Sequence, residues 1–317
     1  MVMLLKSAPT LQELKKVLSK HKIVSEKPNG IQGWETCGPA ILLDYREEYN
    51  GLFVIDIIDK PWPDELDCEK PDSTLHKAWL EGCFGIATAP GSLERAVEHC
   101  WFWPEGRELV PQAKAFLRIR STFMIDRDDW MEGDEWIPSD YYPADELQEF
   151  HMVIRDLFEL PQVICYFNPQ GEVLRDKETF IEYDDLCYDN EIPPLGLWAN
   201  ARFFKINDEW VMMDTVGNSQ IEVLDVEACF HIDSYEPHDI DQLLRVVTLY
   251  QLEDDEFEGS DTVEDENGVS WKVSFEQDGL CDPPRRVIRL IPQDGREPPA
   301  ELAASNSGLD PEDTEGE

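Results

Sequence analysis

The sequence lacks the short motifs that announce a nucleotide or cofactor site. It has no P-loop, no Gly-x-Gly-x-x-Gly and no Gly-x-Ser-x-Gly. No two cysteines stand as Cys-x-x-Cys. No cofactor is therefore expected. Long apolar runs are missing too. Val2–Leu5 is too short for a signal-peptide core or a membrane span, and no later run reaches the length of one. Positive charge is scarce, with 27 Lys and Arg against 68 Asp and Glu, a formal net charge of −41. Such a polyanion is repelled by phosphate backbones and anionic lipid surfaces, so neither nucleic acid nor membrane is expected as a direct ligand.

The basic residues fall in two small groups: five lysines in the first 22 residues, and Arg285, Arg286 and Arg289. The acids are spread more widely. Glu253–Glu266 holds nine acids and no base, and Gly295–Glu317 is net −6. Together these segments supply −15 of the −41, so the other 280 residues still carry −26. Those residues are not a disordered polyelectrolyte. Hydrophobic residues make up 42% of the chain and ten are Trp, enough to bury a sizeable core. The eight cysteines are scattered and several lie in apolar runs, which reads as free thiols in a reducing, cytoplasmic setting.

Thr10-x-x-Glu13 reads as a capping box, and Leu11, Leu14, Val17 and Leu18 form one helical stripe. Ile41–Tyr45 and Leu52–Ile58 flank Asn50-Gly51 and predict a hairpin with a type I′ turn. Short helices are predicted over Leu75–Glu81 and from Ser92. An alternating strand covers Phe116–Phe123, with Phe116, Arg118, Arg120 and Thr122 on a less buried face. A long amphipathic helix spans Ala144–Glu159. Further strands are predicted at Val163–Phe167, Glu172–Leu174, Ala201–Ile206, Trp210–Thr215, Ala228–Ile232, Trp271–Phe275 and Val287–Ile291. Asp239-x-x-Gln242 reads as the start of another helix, and the acidic stretch to Glu266 as loop.

Hairpins mix with isolated helices without regular strand–helix–strand alternation. The expected class is α+β, with mixed or mainly antiparallel sheets and amphipathic helices packed on one face. The globular region is placed at 1–294, with two subdomains conceivable about 189–195. Residues 295–317 are expected to form a disordered acidic tail.

Among chemistry-bearing clusters, His231, Asp233 and His238 combine imidazoles and a carboxylate within eight residues and could hold a divalent ion for hydrolysis. Glu236-Pro237 interrupts the strand between them, and short spacing alone does not make ligands converge. His99-Cys100 point about 100° apart on a helix and do not face each other. Cys165 with His151 is a conceivable distant thiol–imidazole pair. Asp56, Asp59 and Asp214 lie in or beside apolar strands and are candidate acid/base carboxylates, or simply edge and turn residues. The aromatic, acid-rich loops are the more suggestive surface. Trp101, Trp103, Trp130, Trp136, Tyr141 and Tyr142 could receive a basic partner, or could staple the loops to the core.

Four patches carry a family resemblance: Val54–Asp64, Pro90–Trp103, Lys114–Arg120 and Cys165–Glu172. Together they resemble an uncharacterised bacterial family known as a domain of unknown function, over about Ala40–Ile291. The resemblance implies a cytosolic α+β fold and supplies no catalytic residues. The family pattern has a His before the Ala-Phe of the third patch, where this chain has Lys114.

The functional expectation is a cytoplasmic acidic protein-interaction module, inhibitor- or immunity-like, for a basic partner protein. The alternatives are a metal-assisted hydrolase built on His231, Asp233 and His238, and a DNA mimic.

Overall fold

The computed structural model describes residues 1–31, 38–65, 74–80, 82, 84–85, 88–125, 137–253, 257 and 261–300. The predicted acidic tail falls mostly outside them. The chain divides into two compact units, Met1–Trp198 and Ala199–Glu317.

The first unit runs β1 (Val2–Leu5), α1 (Leu11–Val17), β2 (Ile23–Lys27), β3 (Ala40–Arg46), β4 (Gly51–Ile58), α2 (Thr74–Leu80) and α3 (Ser92–Glu98). It continues with α4 (Gly106–Leu109), β5 (Ala115–Thr122), α5 (Pro143–Leu157), β6 (Val163–Asn168), β7 (Val173–Arg175), α6 (Lys177–Asp189) and α7 (Leu195–Trp198). Its strands form one sheet in the order β2-β3-β4-β5-β1-β6-β7, with every neighbouring pair antiparallel.

The predicted cap is present. The Glu13 amide donates to Thr10 Oγ1, and the Thr10 amide to Glu13 Oε2, which satisfies orphan donors at the start of α1. The β3–β4 hairpin also forms, but not through a two-residue turn. Glu47–Tyr49 makes a 3₁₀ turn, and Asn50 alone takes the left-handed conformation, at φ 56°. The longer loop lets β4 begin at Gly51, where a Cβ would lie 2.9 Å from the Phe123 ring.

Helices cover both faces of this sheet, rather than one. On the first face Val2, Leu4, Phe116, Cys165 and Phe167 pack with Ala78, Trp79 and Ala96 from α2 and α3. Trp62, in the Pro-Trp-Pro loop, is the hub. Its ring meets Trp79, Phe84, Phe116 and Phe167 edge-on at 5.3 to 6.2 Å, pairs worth about 0.5–1.5 kcal/mol each beyond area burial. On the other face Phe53 stacks on Phe150 of α5, and Tyr166 meets Phe180 of α6. The predicted exposed side of β5 is closed. Arg118 is buried because Asp56, its register partner on β4, accepts its guanidinium at 2.7 Å.

The second unit comprises β8 (Asn200–Lys205), β9 (Trp210–Val216), β10 (Asp225–His231), α8 (Pro237–Leu252), β11 (Thr262–Glu264), β12 (Ser270–Glu276) and β13 (Val287–Pro292). The sheet order is β11-β12-β13-β10-β9-β8, antiparallel except for the β10–β13 pair. Here helix packing is one-sided. Ile240, Leu243, Leu244 and Val247 of α8 close a core with Val211, Val226, Trp271, Ile288 and Leu290. α8 starts at Pro237, three residues earlier than a cap at Asp239-x-x-Gln242 predicts, and its N-cap Glu236 makes no side-chain capping bond. Proline at the first helical position supplies the start instead. The architecture as a whole is α+β.

Candidate binding cleft

No helix among the described residues is long and apolar enough to cross a membrane. Nor is any group of three or more His, Cys, Asp or Glu among them placed to hold a metal ion. His231 ends β10 with its ring edge-on to Trp210, and its Nδ1 accepts the Asp233 amide at 3.3 Å. Asp233 and His238 are exposed on either side of the Pro237 helix start. The strand ends before Asp233, so the three side chains do not converge.

The thiol and imidazole candidates separate as well. Cys165 belongs to the first-face core with Phe116, and burial pushes its thiol well above the ordinary range. His151 lies under the opposite face, edge-on to Phe180. Its Nδ1 is 2.7 Å from Asp184 Oδ1, and its Nε2 accepts the Trp198 indole N–H at 3.0 Å. An indole can only donate, so the proton of this imidazole sits on Nδ1 and points at Asp184. The arrangement resembles a catalytic dyad, but a tryptophan occupies the place of the substrate. The five cysteines among the described residues, 100, 165, 187, 229 and 281, are free thiols.

The candidate carboxylates are ion-paired or exposed. Asp56 binds Arg118 and Arg120, while Asp59 is exposed. Asp214 anchors a buried network across the second sheet, accepting from Arg202 Nε at 2.9 Å and from Arg285 at 2.6 Å. Arg285 also donates to Asp225, and Arg289 pairs with Glu227. Burial pushes the Asp225 and Glu227 carboxyls up, against the pull of Arg285 and Arg289. Two of the three arginines in the C-terminal basic group are thus consumed inside the fold and form no surface patch.

The aromatic set is not one surface. Trp103 is buried against Gly106, where a Cβ would lie 2.7 Å from its ring. Tyr141 is half-buried and donates to Glu146 at 2.7 Å. Trp101 and Tyr142 are exposed, with Arg107 over the Trp101 ring. Trp130 and Trp136 lie outside the described residues.

A different feature combines apolar and acidic surface. Between α8 and the β11–β12 turn lies an open cleft of about 210 Å³. Its apolar part is Tyr235, Ile240, Leu243 and Val246. Asp239, Glu264, Asp265 and Glu266 line it too, and among the described residues none of the lining is cationic. Three local features build it. α8 turns Ile240 and Leu243 inward and leaves Val246 56% exposed. Tyr235 packs its ring on Trp271 at 5.1 Å, and burial beside Asp294 and Asp265 pushes its phenol up to about 12. Asp265 holds the turn, accepting from the Asn267 and Val269 amides and from the Trp271 indole. No sequence motif marks this cleft, because its members are distributed over thirty-odd residues. The signal available was the nine-acid run beside a helix whose apolar stripe continues to Val246.

Residues 214–291 match a family described as a domain of unknown function, DUF4261. The matched stretch lies in the second unit and contains every residue lining the cleft. The four patches read from the sequence all lie in the first unit, outside this match. No curated protein and no solved structure matches the chain.

Proposed function

We propose that this chain is a cytoplasmic protein-interaction module that holds a basic partner protein, in the manner of an inhibitor or immunity protein. The observation that carries this reading is the cleft beside α8. It offers exposed apolar surface to bury and carboxylates that no lining cation neutralises. Apolar contact supplies affinity, while the acidic rim selects positive partners and speeds their approach. The overall charge of −41 extends that field well beyond the cleft.

The test is retention of proteins from the source cell on immobilised full chain at low ionic strength. The expected result is a basic protein that is released by salt and is not retained by the Asp239→Lys/Glu266→Lys variant. Equal retention by that variant, or no salt-sensitive partner at all, overturns the proposal.

A further inference from the structure

We infer that the occupant of this cleft is a β-strand: an extended segment of alternating apolar and basic residues that adds to the outer edge of β11, which is unpaired among the described residues. The inference rests on the interaction reading above and fixes its mode and chemistry.

β11 is the terminal strand of its sheet, with β12 as its one neighbour there. Its register pairs Thr262 with Lys272, Val263 with Trp271 and Glu264 with Ser270. The Val273 amide donates to Asp261 O and the Asp265 amide to Val269 O, both at 3.0 Å. In an antiparallel ladder, hydrogen-bonded and non-bonded pairs alternate. Asp261, Val263 and Asp265 therefore face β12, while the N–H and C=O of Thr262 and Glu264 point out of the sheet. Among the described residues none of those four groups has a hydrogen-bond partner. Glu264 belongs to this edge and also lines the cleft, so edge and cleft meet there.

Side-chain alternation then specifies the ligand. Val263, Trp271 and Val273 mark the sheet face that packs toward α8. Residues of an added strand on that side come over Tyr235, Leu243 and Val246, which calls for apolar side chains. Residues on the opposite side come beside Thr262 and Glu264. On that side Glu264 accepts a cation directly opposite it, and Thr262 offers a neutral neighbour to the next one. The positive end of the α8 dipole opposes a cation by about 0.3–1 kcal/mol, but the exposed N-cap Glu236 and Asp239 of the first turn offset it. The same acids keep a second copy of this acidic chain from pairing edge to edge, the usual hazard of a free strand.

The probe is an end-blocked, fluorescent peptide of alternating Lys and Val, titrated into the full chain at low salt. Binding is followed by anisotropy, and the protein's amide exchange by NMR. The expected results are saturable binding, slowed exchange at the Thr262 and Glu264 amides, and weaker binding by a peptide N-methylated on its pairing edge. Thr262→Pro removes an outward N–H and none of the β11–β12 ladder. It should weaken binding about three- to tenfold, the worth of one hydrogen bond, with an unchanged melting temperature. If Thr262→Pro disturbs folding, the N-methylated peptide still decides, because it leaves the protein untouched. No binding by the alternating peptide, or equal binding by its N-methylated form without slowed exchange, overturns the strand mode. The interaction reading then stands or falls separately, on whether Asp239→Lys/Glu266→Lys loses its salt-sensitive partner.

Discussion

Trp198 donates its indole N–H to Nε2 of His151 at 3.0 Å and so closes the nitrogen through which that imidazole could act as a base. The other nitrogen is committed to Asp184. This pair is a structural clamp tying α7 to α5. Trp198→Phe keeps an aromatic ring but strands a buried acceptor and leaves a small cavity; the stranded acceptor alone costs about 1–3 kcal/mol in urea unfolding. No gain of hydrolytic activity toward ester substrates is expected from either Trp198→Phe or Trp198→Ala.

Asp184 gives the first unit a defined acid sensitivity. Burial would raise its carboxyl, but the His151 hydrogen bond and the Arg155 guanidinium outweigh burial and hold it below its ordinary 3.8. A carboxylate depressed in the folded state stabilises above the unfolded value, and that stability is lost as pH falls through the folded value. Asp184→Asn should therefore lose stability at pH 7, on the order of 1.5–3 kcal/mol for a hydrogen bond to a charged group. The wild-type advantage should shrink as pH drops below 3.8, read from urea midpoints across the acid range.

Arg285 ties the segment before β13 to the sheet through Asp214, Asp225 and the carbonyls of Cys281 and Pro283. Arg285→Met leaves buried carboxylates without that cation, which costs about 3–5 kcal/mol. Adding Asp225→Asn should recover part of the loss, because one uncompensated charge is removed. A double-mutant cycle in denaturant measures the coupling.

Gly38 has no room for a side chain: a Cβ there would lie 1.7 Å from the Ile57 carbonyl oxygen. Gly38→Ala must displace backbone where the Ile57 amide donates to Pro39 O. A fall in stability of about 1–3 kcal/mol is expected by thermal unfolding.

Val246→Lys tests the cleft without touching the core, since Val246 is 56% exposed. Stability should stay within about 0.5 kcal/mol of the parent chain. Binding of a Lys/Val peptide should weaken, because a cation now stands where an apolar contact was.

The sequence revealed those elements whose local chemistry repeats a pattern. The Thr10 cap, the hairpins and α5 carry period and punctuation together, and each formed near its predicted bounds. β1 leaves no pattern in the sequence, because four residues are too few to show alternation and all four are buried. α6 is faint in the sequence because only Phe180 and Cys187 are fully buried among many acids, which leaves little amphipathic contrast. With it went Asp184, so the clamp on His151 was invisible. β11 has the composition of a loop because its three residues sit in an acidic run, and their strand character comes from pairing with β12. The cleft was illegible for the same reason. Charge composition suggested what kind of partner to expect, but only the fold brings Val246 of α8 and Glu266 of the turn to one opening.

β1 has a consequence in time. Val2 pairs with Arg118 on one side and Phe167 on the other, so an interior strand of the sheet leaves the ribosome before either neighbour exists. Until β5 is made, Val2–Leu5 is an apolar tetrad with two open edges, and until β6 is made one stays open; loop closure over so long a separation is slow. The first unit should complete its sheet late and from the inside, with β1 inserted as a keystone between strands already folded. A chaperone acting on the nascent chain would find its target in those four residues.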